Sequence, residues 1–336
     1  MRRILTLCIL ALVLAPFKSF AQEIRLSDWQ TISSLYTVRG MDIDASGVCW
    51  AATTGGVVRF DPKDRSIVEY RNVGALQSLD CSSIYCDRRA NEVYVGQVNG
   101  AIDVLRSDGK WSNIRDIRRA TQYPRRSILA FAQRGDTVLM ATEFGFVLWD
   151  SRKEIFIATV DRIGALEENS PVRSVVLHND SIWVATNKGL AVSPLNVQTL
   201  RLPSVWKILG KDQGLDALDL SSCQSNGTDL VVTTARGLYS WKSGSFQKLI
   251  ETTEDICGLA NVSGSWEVST ASSIISQTAT RKPRIAGAIN GFVAGTAGGQ
   301  ILRLLSVESL GFGIVTPDDN VDVAPIRCPS SNQFAD

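Results

Sequence analysis

The chain has 336 residues, 35 Lys+Arg against 34 Asp+Glu and a single histidine, so its formal charge is +1. That balance excludes a broadly basic nucleic-acid binder whose affinity comes from neutralising phosphates. One histidine disfavours His-rich metal sites and any mechanism that needs two imidazoles. With 44% hydrophobic and 21% charged residues the chain can bury a core and is not a disordered polymer.

The first residues read as an export signal, residues 1–21. Arg2 and Arg3 precede an apolar run from Ile4 to Ala15, ended by Pro16, and Ser19 and Ala21 set small side chains before a cut ahead of Gln22. The run is too short for a bilayer, which takes roughly 20 residues, so the reading is a cleaved leader with no transmembrane segment left behind. Cleavage removes Arg2, Arg3 and Lys18 and takes the formal charge from +1 to −2. Periplasm, outer membrane or cell surface is the expected location. Six cysteines remain, Cys49, Cys81, Cys86, Cys223, Cys257 and Cys328, none spaced as CxxC. They are expected to be mostly reduced, buried thiols, with Cys223–Cys257 the first pair to test as a disulfide.

Internal periodicity decides the fold. VCWAATTGGVVRFD (Val48–Asp61) recurs as EVYVGQVNGAIDVL (Glu92–Leu105), TVLMATEFGFVLWD (Thr137–Asp150), SIWVATNKGLAVSP (Ser181–Pro194) and DLVVTTARGLYSW (Asp229–Trp241). Fainter copies follow in SWEVSTASSIIS (Ser265–Ser276) and GFVAGTAGGQILRL (Gly291–Leu304). Aligned on Gly56, Gly100, Gly145, Gly189, Gly237, Ser273 and Gly299, the units are 44, 45, 44, 48, 36 and 26 residues apart. Each block is a β-branched and aromatic run, a polar T-x-x-G turn and a returning apolar run, flanked by one further short run on each side. Four strands per unit of about 40–45 residues is the pattern of a propeller blade. The expectation is an all-β, seven-bladed β-propeller of four-stranded antiparallel blades over residues 22–310, with 311–336 a polar tail, linker or disordered end. WQTIS (Trp29–Ser33) is expected to close the ring as an outer strand of the last blade, with SVESLGFGIV (Ser306–Val315) as the alternative.

The repeat resembles the two-component-regulator type of propeller, in which a short GL loop precedes the inner strand. Here those loops are GALQSLDCSSI (Gly74–Ile84), GALEENSPVRSV (Gly164–Val175) and QGLDALDLSSC (Gln213–Cys223). NGAIDVLRSDGKWSNIRDIRR (Asn99–Arg119), ATEFGFVLWDSRKEIFIATVDRIG (Ala141–Gly164) and SIWVATNKGLAVSP, with the Trp206 region, are similar to the PorZ-type N-terminal propeller family of type IX secretion systems. That resemblance spans roughly residues 29–249. It implies a non-enzymatic exported protein at the outer membrane, partnered by a sortase-like attachment complex. It also implies binding of anionic lipopolysaccharide for cargo attachment. The family continues into a second propeller and a C-terminal sorting domain, which this sequence does not include. Two rival classes stand beside it: a detached periplasmic sensory propeller recognising oligosaccharide, and a propeller lyase or glycosidase.

The strongest charge feature is IRDIRRATQYPRR (Ile114–Arg126). Arg115, Arg118, Arg119, Arg125 and Arg126 surround Tyr123 and are offset only by Asp116. The segment links one blade to the next on the face that carries the T-x-x-G hairpins. A guanidinium pairs bidentately with carboxylate or phosphate, so this loop is the candidate site for an anionic glycan; a solvated basic loop is the bland alternative. Asp42-Ile-Asp44-Ala-Ser46-Gly47 imitates a calcium loop, but Thr53 stands where a bidentate glutamate is required, and a hairpin turn is the better reading. Asp44-x-x-Gly47-x-x-Trp50 also matches the structural turn-and-tryptophan box of sialidase propellers. His178 falls at a turn on the opposite face, and Glu167-Glu168 reads as a solvated pair, so neither is expected to act in catalysis. Trp29, Trp50, Trp149, Trp183 and Trp241 are expected to pack between blades. No metal or cofactor is expected, and no G-x-S-x-G, H-E-x-x-H or GxxxxGK[ST] motif occurs.

Overall fold

The computed structural model describes residues 35, 37–71, 74–297 and 299–325. They form seven four-stranded antiparallel sheets. In every sheet the chain order is the spatial order, so each blade is one contiguous stretch of sequence. The inner strands are Val38–Ile43, Cys81–Asp87, Ile128–Arg134, Ser174–His178, Ser222–Ser225, Gly258–Val262 and Ile289–Ala297. The outer strands are Ile67–Tyr70, Trp111–Ile114, Ile155–Val160, Lys207–Leu209, Ser245–Glu251, Thr280–Arg281 and Val321–Pro325. At six of the seven seams, all but that between blades 5 and 6, the inner strands of neighbouring blades pack side by side, and that of blade 1 meets both blade 2 and blade 7, closing the ring. The seven-bladed propeller read from the repeats is the observed fold.

Why the second strand of a blade reads as an unbroken apolar run follows from the packing. Alternate side chains leave a strand on opposite faces, and here both faces meet another blade. Cys49 and Ala51 join a cluster with Val293, Leu304 and Phe312 of blade 7, while Trp50 and Ala52 join Cys86, Val93 and Val95 of blade 2. The described residues contain seven such clusters, one per seam. Trp149 packs between blades 2 and 3, and Trp183 meets Trp241 across blades 4 and 5 at 5.7 Å. Trp29 lies outside the described residues.

The T-x-x-G turn has a specific chemistry. The threonine hydroxyl donates to the glycine carbonyl three residues on, at 2.8 Å for Thr53, 3.0 Å for Thr142 and 2.7 Å for Thr186. The glycine then needs a left-handed φ, 128° at Gly56, 123° at Gly145 and 117° at Gly189. A Cβ there would strike the last carbonyl of the blade's own outer strand.

Blade 7 corrects two expectations. Its second and third strands are Gln300–Val307 and Gly311–Val315, so the glycine equivalent to Gly56 is Gly311, with φ 118°, not Gly299. Gly299 instead turns the inner strand into the second, which is why the last repeat seemed only 26 residues from its neighbour. The region from 311 is therefore no structureless tail as far as Pro325: it supplies the third and outer strands of this blade. Leu305, Val307 and Phe312 are buried by this arrangement, which favours strands over a solvated linker. The blade is complete from its own sequence. The proposed closing strand Trp29–Ser33, the leader and residues 326–336 lie outside the described residues.

The cysteines remain separate among the described residues. Cys223 is buried, with its thiol toward the Trp183 carbonyl at 3.7 Å, while Cys257 sits 3.2 Å from the Ser269 hydroxyl, so these two are not bonded to each other. Burial pushes the Cys81 and Cys223 thiols up to about 12, which keeps them protonated and unreactive. Cys328 lies outside the described residues.

Candidate functional site

The link from blade 2 to blade 3 begins with one helical turn, Asp116–Arg119. Ile117 is its anchor, buried in the cluster between blades 2 and 3. Residues three and four apart share a helix face, so burying Ile117 turns Arg115, Arg118 and Arg119 outward together, and all three are exposed. Tyr123 is held differently. Its ring lies flat on Phe144, 3.9 Å away and 5° from parallel, and its hydroxyl donates to Asp161 at 2.9 Å. Burial, aided by the Asp161 carboxylate, pushes the phenol up to about 12, so it stays a neutral donor. Phe144 occupies the third position of the blade 3 T-x-x-G hairpin, where blade 4 has Lys188 clamping Glu167 at 2.7 Å. One hairpin thus secures its preceding link by stacking and the next does so by an ion pair.

Arg126 turns inward, donating to the Ala120 carbonyl at 3.4 Å, with its Cβ packed near Gly100. It closes the loop, and the exposed charge comes from the other four arginines. Arg125 faces an open depression of about 630 Å³ at the hairpin face of blades 3 and 4. The floor is Leu129 on an inner strand, and Glu143, Glu168, Asn187 and Arg173 are among its walls. None of the five arginines in the segment has an ion-pair partner among the described residues. Arg39–Asp80 at 2.8 Å and Arg173–Asp219 at 2.7 Å, where an arginine at the start of an inner strand meets the link that follows its blade, are paired. The structure brings Arg115, Arg118 and Arg119 onto one turn and places Arg125 and Tyr123 on the approach to the depression. Sequence reading missed Glu143, Asn187 and Arg173; for the first two the signal was the variable middle positions of T-x-x-G, which form the hairpin tips.

A buried carboxylate supports this region from below. Asp103, of the NG-x-IDVL segment, is fully buried and accepts from Gln77 N–H at 3.0 Å, Gln97 Nε2 at 2.7 Å and Asn113 Nδ2 at 2.6 Å. Burial raises its carboxyl, and these three donors and the Arg115 charge oppose that rise. It fixes three strands of blade 2 and the link at Gln77 in one arrangement.

The remaining candidates fall where bland chemistry puts them. Asp44 accepts from Ser46 and Val48 backbone N–H groups and from Trp50 Nε1 at 2.9 Å, so the carboxylate makes a turn and holds the tryptophan. Among the described residues no His, Cys, Asp or Glu group is arranged to hold a metal. Glu167 pairs with Lys188, which keeps its carboxyl low, and Glu168 lies 3.7 Å from Arg162. His178 is buried on the opposite face against Ser225 and Asn179.

Residues 49–207, from blade 1 into blade 4, match the family of the PorZ N-terminal β-propeller domain of the type IX secretion system. The matched stretch is a little under half of the chain. It contains the whole arginine segment. No curated protein matches the chain. Among solved structures, PorZ of Porphyromonas gingivalis is similar with a TM-score of 0.72 and 15% identity, over 89% of this chain and 39% of that one. PorZ is there described as an essential bacterial surface component of that secretion system. The extracellular domain of a putative hybrid two-component system of B. thetaiotaomicron aligns with a TM-score of 0.65 and 13% identity, over 88% of this chain and 42% of that one. At these identities the likeness speaks to the fold. The chain spans about two fifths of the length of these structures. No helix among the described residues is long and apolar enough to cross a membrane.

Proposed function

We propose that this protein is an exported, non-enzymatic binding module of the cell envelope, a PorZ-like component that takes an anionic glycan on its hairpin face. The observation that carries the reading is the arginine segment: Arg115, Arg118 and Arg119 exposed on one anchored turn, with Arg125 beside a polar depression and no carboxylate partner among the described residues. Phosphate or carboxylate groups of a lipopolysaccharide supply what these guanidiniums lack, and Tyr123 offers a fixed aromatic surface beside them. By the family likeness, the partner is the secretion system's attachment complex, and the ligand is anionic lipopolysaccharide held for transfer to cargo.

The test is binding of the purified full chain to anionic lipopolysaccharide and to a neutral oligosaccharide of similar size. The joint Arg118→Ala and Arg119→Ala variant should bind the anionic ligand at least about tenfold more weakly, since about 1.4 kcal/mol corresponds to one decade. Equal binding by the variant at moderate salt refutes the arginine site. A second reading, a detached sensory propeller, draws on the likeness to two-component extracellular domains. It calls for tight binding of a neutral oligosaccharide, unaffected by the arginine changes.

A further inference from the structure

Blades 5 and 6 meet over the smallest of the seven apolar clusters, Val231, Leu238, Ile250, Trp266 and Val268. At this seam the polar groups are not all matched. Trp266 is 3% exposed, and its indole Nε1–H has no acceptor among the described residues. Trp50, Trp183 and Trp206 all find one, in Asp44, the His178 carbonyl and the Leu200 carbonyl. Directly across the ladder from Trp266 stands Asn261. Its Oδ1 is taken by Gly264 N–H at 3.1 Å, which fixes the amide, and its buried Nδ2 is left without a partner.

Cross-strand partners project from the same face of a sheet. Trp266 faces blade 5, as its cluster shows, so Asn261 does too. Glu267 points the other way and is committed to Arg303 of blade 7. From blade 5, Ser240 is 2% exposed and shares a face with Leu238 of that cluster, and its hydroxyl is also unpaired. Between the inner strands here, Gln224 Nε2 donates to the Leu259 carbonyl at 3.4 Å. Buried polar groups in folded proteins almost always have a partner, and an internal water typically makes about three hydrogen bonds.

We infer that blades 5 and 6 enclose a binding site for one hydrogen-bond acceptor the size of a water molecule, held by Asn261 Nδ2, Trp266 Nε1 and Ser240 Oγ. A water accepts from the amide and the indole and donates to the serine; a halide accepts from all three. The shared chemistry is a small acceptor that joins the two blades where apolar contact is least.

A crystal structure of the full chain, grown with bromide replacing chloride and measured at the bromine edge, tests this. A density peak within hydrogen-bond distance of Asn261 Nδ2 and Trp266 Nε1 is expected; an anomalous signal there identifies a halide, and its lack a water. No peak, or side chains that satisfy each other directly, overturns the site. Ser240→Ala supplies an independent sign. Loss of a bridging hydroxyl lowers the melting temperature by a few degrees, whereas removal of an unpaired one leaves it unchanged or raises it, and that outcome overturns the three-point bridge.

Discussion

Arg303 donates to both carboxylate oxygens of Glu267, at 2.8 and 2.5 Å, across the seam between blades 6 and 7. Glu267 is 6% exposed, and the pairing raises the arginine further above its already high range. Arg303→Met would leave a carboxylate buried without its cation. Breaking a buried pair from one side costs about 3–5 kcal/mol. At about 2.1 cal/mol/K per residue, a propeller of roughly 290 residues has an unfolding entropy near 0.6 kcal/mol/K, so the melting temperature should fall by about 5–8 °C. Adding Glu267→Leu to the same chain removes the stranded charge and should restore most of that loss, because well-packed apolar replacements of whole buried pairs are often neutral. Thermal unfolding of wild type, both single variants and the double variant completes the cycle. If Arg303→Met loses no more than the double variant, the pair is not the buried, mutually dependent unit described here.

Asp103→Leu should be among the most destabilising changes in blade 2. It takes the acceptor from the buried Gln97 amide, a stranded buried donor costing about 1–3 kcal/mol, and from the part-buried Gln77 N–H, while the exposed Asn113 can turn to solvent; an unchanged denaturant midpoint would contradict this. His178 gives a pH effect of definite sign. Its Nε2 faces the Asn179 amide and its Nδ1 the Ser225 hydroxyl, and burial lowers its pKa. The neutral ring is thus favoured in the fold. Its contribution is complete above the unfolded value near 6.5 and is lost as pH falls through the lower folded value. Wild type should therefore lose more thermal stability than His178→Gln between pH 7.5 and 5; parallel curves would show that the ring does not carry this linkage.

The number of blades was legible because the strands are buried on both faces, so each unit repeats one apolar pattern, set around a T-x-x-G turn in blades 1, 3, 4 and 5. That legibility failed at blade 7 for a local reason. Gly298 and Gly299 in AGTAGGQ imitate the T-x-x-G glycine, whereas the true equivalent, Gly311, lies in ESLGFG, where no threonine announces it. One misplaced glycine moved the predicted strands along by one and left 311–325 looking like a tail. At the candidate site, charge was visible in the sequence but its sorting was not. That Arg126 folds inward and that Arg115, Arg118 and Arg119 share a face depends on which neighbour is buried, and only Ile117 packed into a core decides it. The depression drew residues from two hairpins and two links, separated by dozens of positions, and no local pattern joins them.

Because every blade is one uninterrupted segment, and Leu35 and Ala324 share a hydrophobic cluster, the two ends of the described chain meet in space while no strand is exchanged between the first and last blades among the described residues. The order in which the blades are encoded is then separable from the order in which they stand around the axis. Circularly permuted versions, joined across residues 35 and 325 and opened in the 210–221 link, keep all seven sheets whole. Gain or loss of a single blade-length stretch by unequal recombination would likewise cut between sheets instead of through one.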